Sequence, residues 1–148
     1  MGCDIHMHIE VKIRGKWHHY SAPRISRNYE LFARMANVRN FDSFPINPIK
    51  PIAEPRGFPD DATVITRLDN DLLGEDGHSH SWLNSEEFSA LIKWYEELYD
   101  GQLPPRTYIS WEYQELGYLF GNGWDRTDDP ECYPKGLQDV RVIFWFDN

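Results

Sequence analysis

Four of the six histidines in this chain fall into two His-x-His pairs, His6-Met7-His8 and His78-Ser79-His80. The first lies within Cys3–Ile13, which alternates without a break: Cys, Ile, Met, Ile, Val and Ile at odd positions, Asp, His, His, Glu and Lys at even ones. A strand sends successive side chains to opposite faces. The odd positions therefore predict a core wall. Asp4, His6, His8 and Glu10 form a row on the other face, alternate residues roughly 7 Å apart. An ordinary solvent face carries more Lys, Thr, Ser and Gln. This row carries the residue types that bind metals or move protons. Polar alternation alone is what any half-exposed antiparallel strand shows; the second pair is what points to a shared polar site.

That second pair follows an Asp76-Gly77 turn in a segment, His78 to Leu83, that reads as extended. As a strand it presents His78 and His80 on one face, with Trp82 next on that face. Asn84 and Glu87 have capping-box spacing, so a helix begins just beyond the pair, at a terminus that favours anions. A metal site drawn from Asp4, His6, His8, His78 and His80 suits Zn, Mn, Fe or Ni, with no choice among them. Its bound water would attack a phosphodiester, and His6, His78 and His80 are the catalytic candidates. A metal-free version uses two histidines as general base and acid. Substrate contacts are expected from Arg27 and Asn28 at a helix start, from Arg39 and Arg56, and from Trp82. The plain alternatives are solvated arginines beside a helix and, for Arg56, a salt bridge to Glu54 or Asp60.

The positioning elements follow in order. Arg14-Gly15-Lys16 turns β-strand 3–13 into a short return strand at Trp17–Tyr20, where His18 and His19 face opposite ways and read as surface residues. A helix is predicted from Asn28 to Val38, with Tyr29, Leu31, Phe32, Met35, Ala36 and Val38 as its apolar stripe. Five prolines between 40 and 60 exclude helix and central strand there; so long a loop is characteristically a binding loop. A short helix at 61–70 is expected to turn Val64, Ile65 and Leu68 inward, capped by Asp60 or Asp61. Another runs from Ser85 to Tyr99, burying Phe88, Leu91, Ile92, Tyr95 and Leu98, and ends before Gly101 and Pro104-Pro105. Residues 107–120 fit helix more than strand. Asp125, Asp128 and Asp129 lack EF-hand spacing and read as a solvated acidic loop. Val140–Phe146 reads as a central strand, adjacent to the first, with Ile5, Ile9, Val142 and Phe144 in the core. The fold class is α+β: an N-terminal β-hairpin and a C-terminal strand in one mainly antiparallel sheet, three to four helices packed on it, and a long Pro-rich loop.

At 148 residues the chain suits a single domain, 1–148. Aromatic content is high, 15%, with six Trp, eight Tyr and eight Phe; such rings pack cores and also stack on bases. A net charge of -9 argues against bulk nucleic acid, which needs a basic footprint, but leaves room for a small nucleotide in an Arg-lined pocket. Two distant cysteines, Cys3 and Cys132, make neither a disulfide framework nor a four-cysteine zinc site. No apolar run reaches membrane-spanning length and no signal peptide precedes the first strand. Met1-Gly2-Cys3 has His at position 6 where a myristoylation motif has Ser or Thr, so a lipid anchor is not expected. The composition leaves self-association open.

Met1-Gly2-Cys3-Asp4-Ile5-His6, Arg27-Asn28-Tyr29-x-Leu31-Phe32, Val38-Arg39-Asn40, Pro51-Ile52-x-Glu54-Pro55-Arg56-Gly57, Asp76–Leu83 and Val142–Asp147 together resemble a family of small proteins of tailed phages and their bacterial hosts. The resemblance spans nearly the whole chain and supplies no catalytic assignment. It implies a bacterial cytoplasm and a counter-defence setting, in which small phage proteins bind or cleave nucleotide immune signals. Larger His-x-His enzymes fit poorly. Amidohydrolase-type barrels need about 250 residues, the metallo-β-lactamase pattern His-x-His-x-Asp-His is absent, and 2H phosphoesterases carry His-x-Thr/Ser instead. The leading expectation is a small phage-type hydrolase cleaving a phosphodiester in a nucleotide-derived molecule. Beside it stand a non-catalytic sponge for such a signal and an acidic protein that blocks a partner.

Overall fold

The computed structural model describes residues 2–42, 48–98 and 137–148. Four strands form one antiparallel sheet: β1 (Asp4–Ile13), β2 (Lys16–Ser21), β3 (His78–Asn84) and β4 (Leu137–Asp147), in the order β2-β1-β4-β3. The two-residue hairpin turn places Arg14 (φ 53°) and Gly15 (φ 77°) in the left-handed region, the geometry whose twist matches that of the flanking strands. β1 and β4 are the interior strands and pair along their length, Asp4 opposite Asp147 and Val11 opposite Val140. Both faces of β4 are covered, which is why Val140–Phe146 is apolar almost throughout.

One face is the main core. Ile5, Met7, Ile9 and Val11 of β1 and Val140, Val142, Phe144 and Phe146 of β4 meet α1 (Tyr29–Ala36) and α3 (Ser85–Leu98) through Leu31, Phe32, Met35, Phe88, Leu91 and Tyr95. Each such burial contributes roughly 1.5–3 kcal/mol. Asn28 caps α1 by accepting from the Leu31 N–H at 3.1 Å, and its amide donates to the Tyr95 hydroxyl at 2.6 Å, tying α1 to α3. The capping box of α3 is reciprocal: Asn84 Oδ1 accepts from Glu87 N at 2.9 Å, and Asn84 N donates to Glu87 Oε1 at 3.1 Å. The helix expected at 107–120, the acidic loop, Cys132 and Tyr99 lie outside the described residues.

The other face is covered by α2 (Val64–Leu73) and the chain before it, around Ala62, Ile143 and Trp145 with Phe58, Leu73 and Trp82. Here an expectation fails. Val64, Ile65 and Leu68 do not point inward; they are 80, 54 and 57% exposed. Thr66, Asp69, Asn70 and Leu73 are turned to the sheet instead. The sheet surface beneath α2 is the polar row of β1, so hydrogen-bonding residues find partners there. The helix also starts three residues later than expected, and Asp61 does not cap it.

The Pro-rich loop is stitched to its surroundings. The Asn40 side chain brackets Ile49, donating to its carbonyl and accepting from its N–H, both at 2.7 Å. Gly57 N donates to His80 O at 2.8 Å, so the loop covers the outer edge of β3.

Candidate functional site

Trp145 is fully buried on the α2 side of the sheet. Three imidazoles lie near-parallel to its ring: His6 at 5.7 Å, His8 at 5.4 Å and His80 at 5.8 Å between centroids. Phe58 meets the indole edge-on at 5.9 Å. Strand order explains the grouping, because β4 carries Trp145 between β1 and β3. Each imidazole Nε2 meets a side-chain oxygen: Asp147 on His6 at 2.7 Å, Asp69 on His8 at 2.6 Å, Asn70 on His80 at 2.7 Å. A carboxylate or amide oxygen only accepts, so all three Nε2 atoms carry the hydrogen. Burial, with His78 as a smaller cause, pushes the His80 pKa down. The Trp145 Nε1–H is buried and has no hydrogen-bond partner among the described residues.

His78 is placed elsewhere, which corrects the expectation that the pair shares a face. Ser79 sits at φ 54°, in an irregularity of the β3–β4 ladder between His78 and Ser81. The extra residue puts His78 opposite Phe146, on whose ring it stacks at 6.2 Å, while His80 stacks on Trp145 across the sheet. The middle residue of His78-Ser79-His80 is thus the bulge, and the two rings flank opposite faces.

His19, read from sequence as a surface residue, joins the polar face. Its Nε2 lies 2.9 Å from His8 Nδ1. The tautomers follow from Asp69. His8 donates from Nε2, so neutral His8 accepts at Nδ1, and His19 must donate from its own Nε2. A neutral His19 then presents a bare Nδ1. Burial, then the neighbouring His8, pushes the His19 pKa down, which favours this neutral form. His19 lines a cleft of about 600 Å³ between β2 and the start of α2, whose walls include Lys16, Trp17, His18, Asp61 and Thr63. Asp69–His8–His19 is therefore a chain from the carboxylate of a surface helix, through a buried imidazole, to a cleft.

Behind the same cleft wall lies a buried ion pair. Glu10 Oε1 accepts from Arg141 Nε at 3.0 Å and Nη2 at 2.7 Å. Its Oε2 accepts from Thr63 N at 2.9 Å, Thr63 Oγ1 at 2.6 Å and Thr66 Oγ1 at 2.7 Å. Glu10 thereby caps α2 from the sheet, in place of a cap from the helix's own sequence. Burial raises its pKa, but the hydrogen bonds from Thr63, Thr66 and Arg141 outweigh burial and hold it below the ordinary range. Arg141 also donates to Asp61 Oδ1 at 2.8 Å and lies 4.0 Å above the Trp17 ring. Its cross-strand partner is Glu10. A lone charge inside an apolar strand was the sequence signal for this pair.

The remaining expected residues are engaged elsewhere. Asp4 is paired with Arg27, Nε to Oδ1 at 2.6 Å, and this hydrogen bond holds its pKa down. Asn28 is the cap described above. Arg39 lies 5.6 Å above Tyr29. Arg56 pairs bidentately with Glu87, rather than with Glu54 or Asp60, and lies 4.6 Å above the Trp82 ring. Among the described residues no three His, Cys, Asp or Glu side chains are grouped as an ion's ligands would be. Nor is any described helix long and apolar enough to cross a membrane. No protein-family model, curated protein or solved structure matches the chain.

Proposed function

We propose that this chain is a small hydrolase that cleaves a phosphodiester in a nucleotide-derived molecule, with His19 as general base. The carrying observation is the Asp69–His8–His19 chain ending on the cleft. Asp69 fixes the tautomer of His8, which fixes that of His19, so a lone pair is held ready for a hydroxyl proton. The attacking oxygen, from water or a neighbouring ribose hydroxyl, loses its proton to His19 Nδ1 and bonds to phosphorus. The bond to the leaving oxygen breaks, and that oxygen takes a proton from water in the cleft. Lys16 adds positive charge for the phosphate, and Trp17 offers an aromatic surface to a base. His80 holds α2 to the sheet through Asn70, and His6 pairs with Asp147 on β4. The phage resemblance directs the choice of substrates toward host immune signals.

One observation favours a non-catalytic sponge. Arg141, behind the cleft wall, already pairs with Glu10 and Asp61, which leaves Lys16 as the one Lys or Arg among the described residues lining the cleft to stabilise a phosphorane-like transition state. The test is incubation with cyclic nucleotides and ADP-ribose derivatives, with and without EDTA, then denaturation and chromatography. Product that survives EDTA and falls by about 10²–10⁴-fold in His19→Ala supports the proposal. Stoichiometric recovery of intact ligand supports the sponge. Turnover abolished by EDTA but unchanged in His19→Ala refutes the assigned base.

A further inference from the structure

α2 is built inside out: its hydrogen-bonding residues face the sheet and its apolar ones face away. Val64, Leu68 and Leu72 are 80, 57 and 78% exposed, and Ile65 lies beside them at 54%. Residues spaced by four form a straight row along a helix, so the three make a stripe the length of α2. Scattered exposed apolar residues need no explanation, but a contiguous stripe on one short helix marks an interaction surface. We propose that this stripe is the contact of a homodimer, in which α2 packs against α2 of a second copy, antiparallel about a two-fold axis near Leu68.

The charges beside the stripe select this occupant and this direction. Arg67 and Asp71, both exposed, lie one turn apart and therefore on the same flank. A two-fold axis brings that flank against itself with the chain direction reversed. Arg67 then faces the second copy's aspartate and Asp71 its arginine, while Val64 meets leucine at the other end. A parallel two-fold would instead set this flank against the opposite flank of the second copy, where exposed Ile65 offers neither charge a partner. The antiparallel arrangement also opposes the helix dipoles favourably. Arg67 is held for this role: Nη2 donates to Asp60 O at 2.7 Å and Ala62 O at 3.3 Å, fixing the guanidinium at the start of the helix. Its planar fork has further N–H groups for a carboxylate. The proposal rests on the exposed face of α2 and stands whether or not the cleft is catalytic.

Sedimentation equilibrium on the full chain at physiological salt tests it. The parent chain is expected to dimerise, with a melting temperature that rises with protein concentration, and Leu68→Asp to be monomeric and still folded, with a cooperative melt independent of concentration, because residue 68 is exposed in the monomer. Arg67→Asp and Asp71→Arg should each weaken the dimer by about 10-fold or more, and the double reversal should restore it, since opposite charges again meet. A parent chain that stays monomeric up to about 1 mM overturns the proposal. So does a Leu68→Asp chain that dimerises as tightly as the parent, or a double reversal no tighter than the single ones.

Discussion

Glu10→Gln replaces one carboxylate oxygen with an amide nitrogen at a fully buried position, and the structure says what that does. Glu10 accepts five hydrogen bonds, two from Arg141, two from Thr63 and one from Thr66. If the Gln oxygen stays on Arg141, its NH₂ faces three donors. The two threonine hydroxyls can rotate; the Thr63 N–H cannot, and α2 loses its cap. Losing a cap costs about 1 kcal/mol, and removing one partner of a buried ion pair about 3–5 kcal/mol. Arg141 retains Asp61, which places the expected loss near the lower end, at about 3–4 kcal/mol. Total stability is about 5–15 kcal/mol, so urea unfolding resolves the loss readily. pH supplies a second reading. The folded Glu10 pKa is depressed, so its stabilisation is complete above the unfolded carboxylate pKa and disappears as pH falls through the folded value. The gap between parent and variant should therefore narrow in acid. A loss below about 1 kcal/mol at neutral pH, or a gap that widens on acidification, would refute the assignment of Glu10 as a charged cap.

Under the proposed mechanism, Asp69→Ala should lower turnover by about 10²-fold or more by removing the acceptor that sets the His8 tautomer, while the chain still melts cooperatively; matched kinetics and melting curves check it. The depressed His19 pKa predicts that activity rises through a pH below the ordinary histidine range and is level by neutrality, which a pH–rate profile reads. The depressed pKa values of His19 and His80 also predict falling stability as pH drops below about 6.5, because the unfolded chain then binds protons that these folded rings do not; neutral variants at both positions should flatten that slope in urea titrations. Arg14→Asn places the preferred residue pair in the β1–β2 turn and should stabilise by about 0.5–1 kcal/mol, measured by thermal melting.

The sheet was legible in the sequence because its two interior strands carry opposite signatures. Strict alternation in β1 states that one face is polar, and the near-continuous apolar run of β4 states that both faces are covered. The Asn84–Glu87 box likewise marked the start of α3. The stripe Val64-Ile65-Leu68 was recognisable as a helix face, but its direction depends on what lies beneath. That is settled by the polar row of β1, more than fifty residues away in sequence. The face of His78 was hidden for a different reason: Ser79 gives no sign that it will adopt a positive φ. Alternation lets one of His18 and His19 reach β1's polar face, and reading both as surface residues of a short return strand missed that His19 does so, against His8.

The manner in which α2 is attached has a consequence for how the molecule comes apart. Its contacts with the sheet are mainly hydrogen bonds, from Thr63 and Thr66 to Glu10, from His8 to Asp69 and from His80 to Asn70. Water can replace each of these, whereas the burial of Phe144, Phe146 and Leu91 on the opposite face has no aqueous substitute. The two sides of one sheet thus have unequal cohesion. Amide exchange along α2 should proceed by a local opening of lower free energy than the exchange of β1 and β4, whose ladder stays paired and packed on α1 and α3. His8 and Glu10 would meet solvent in that opened form while the rest of the molecule remains folded.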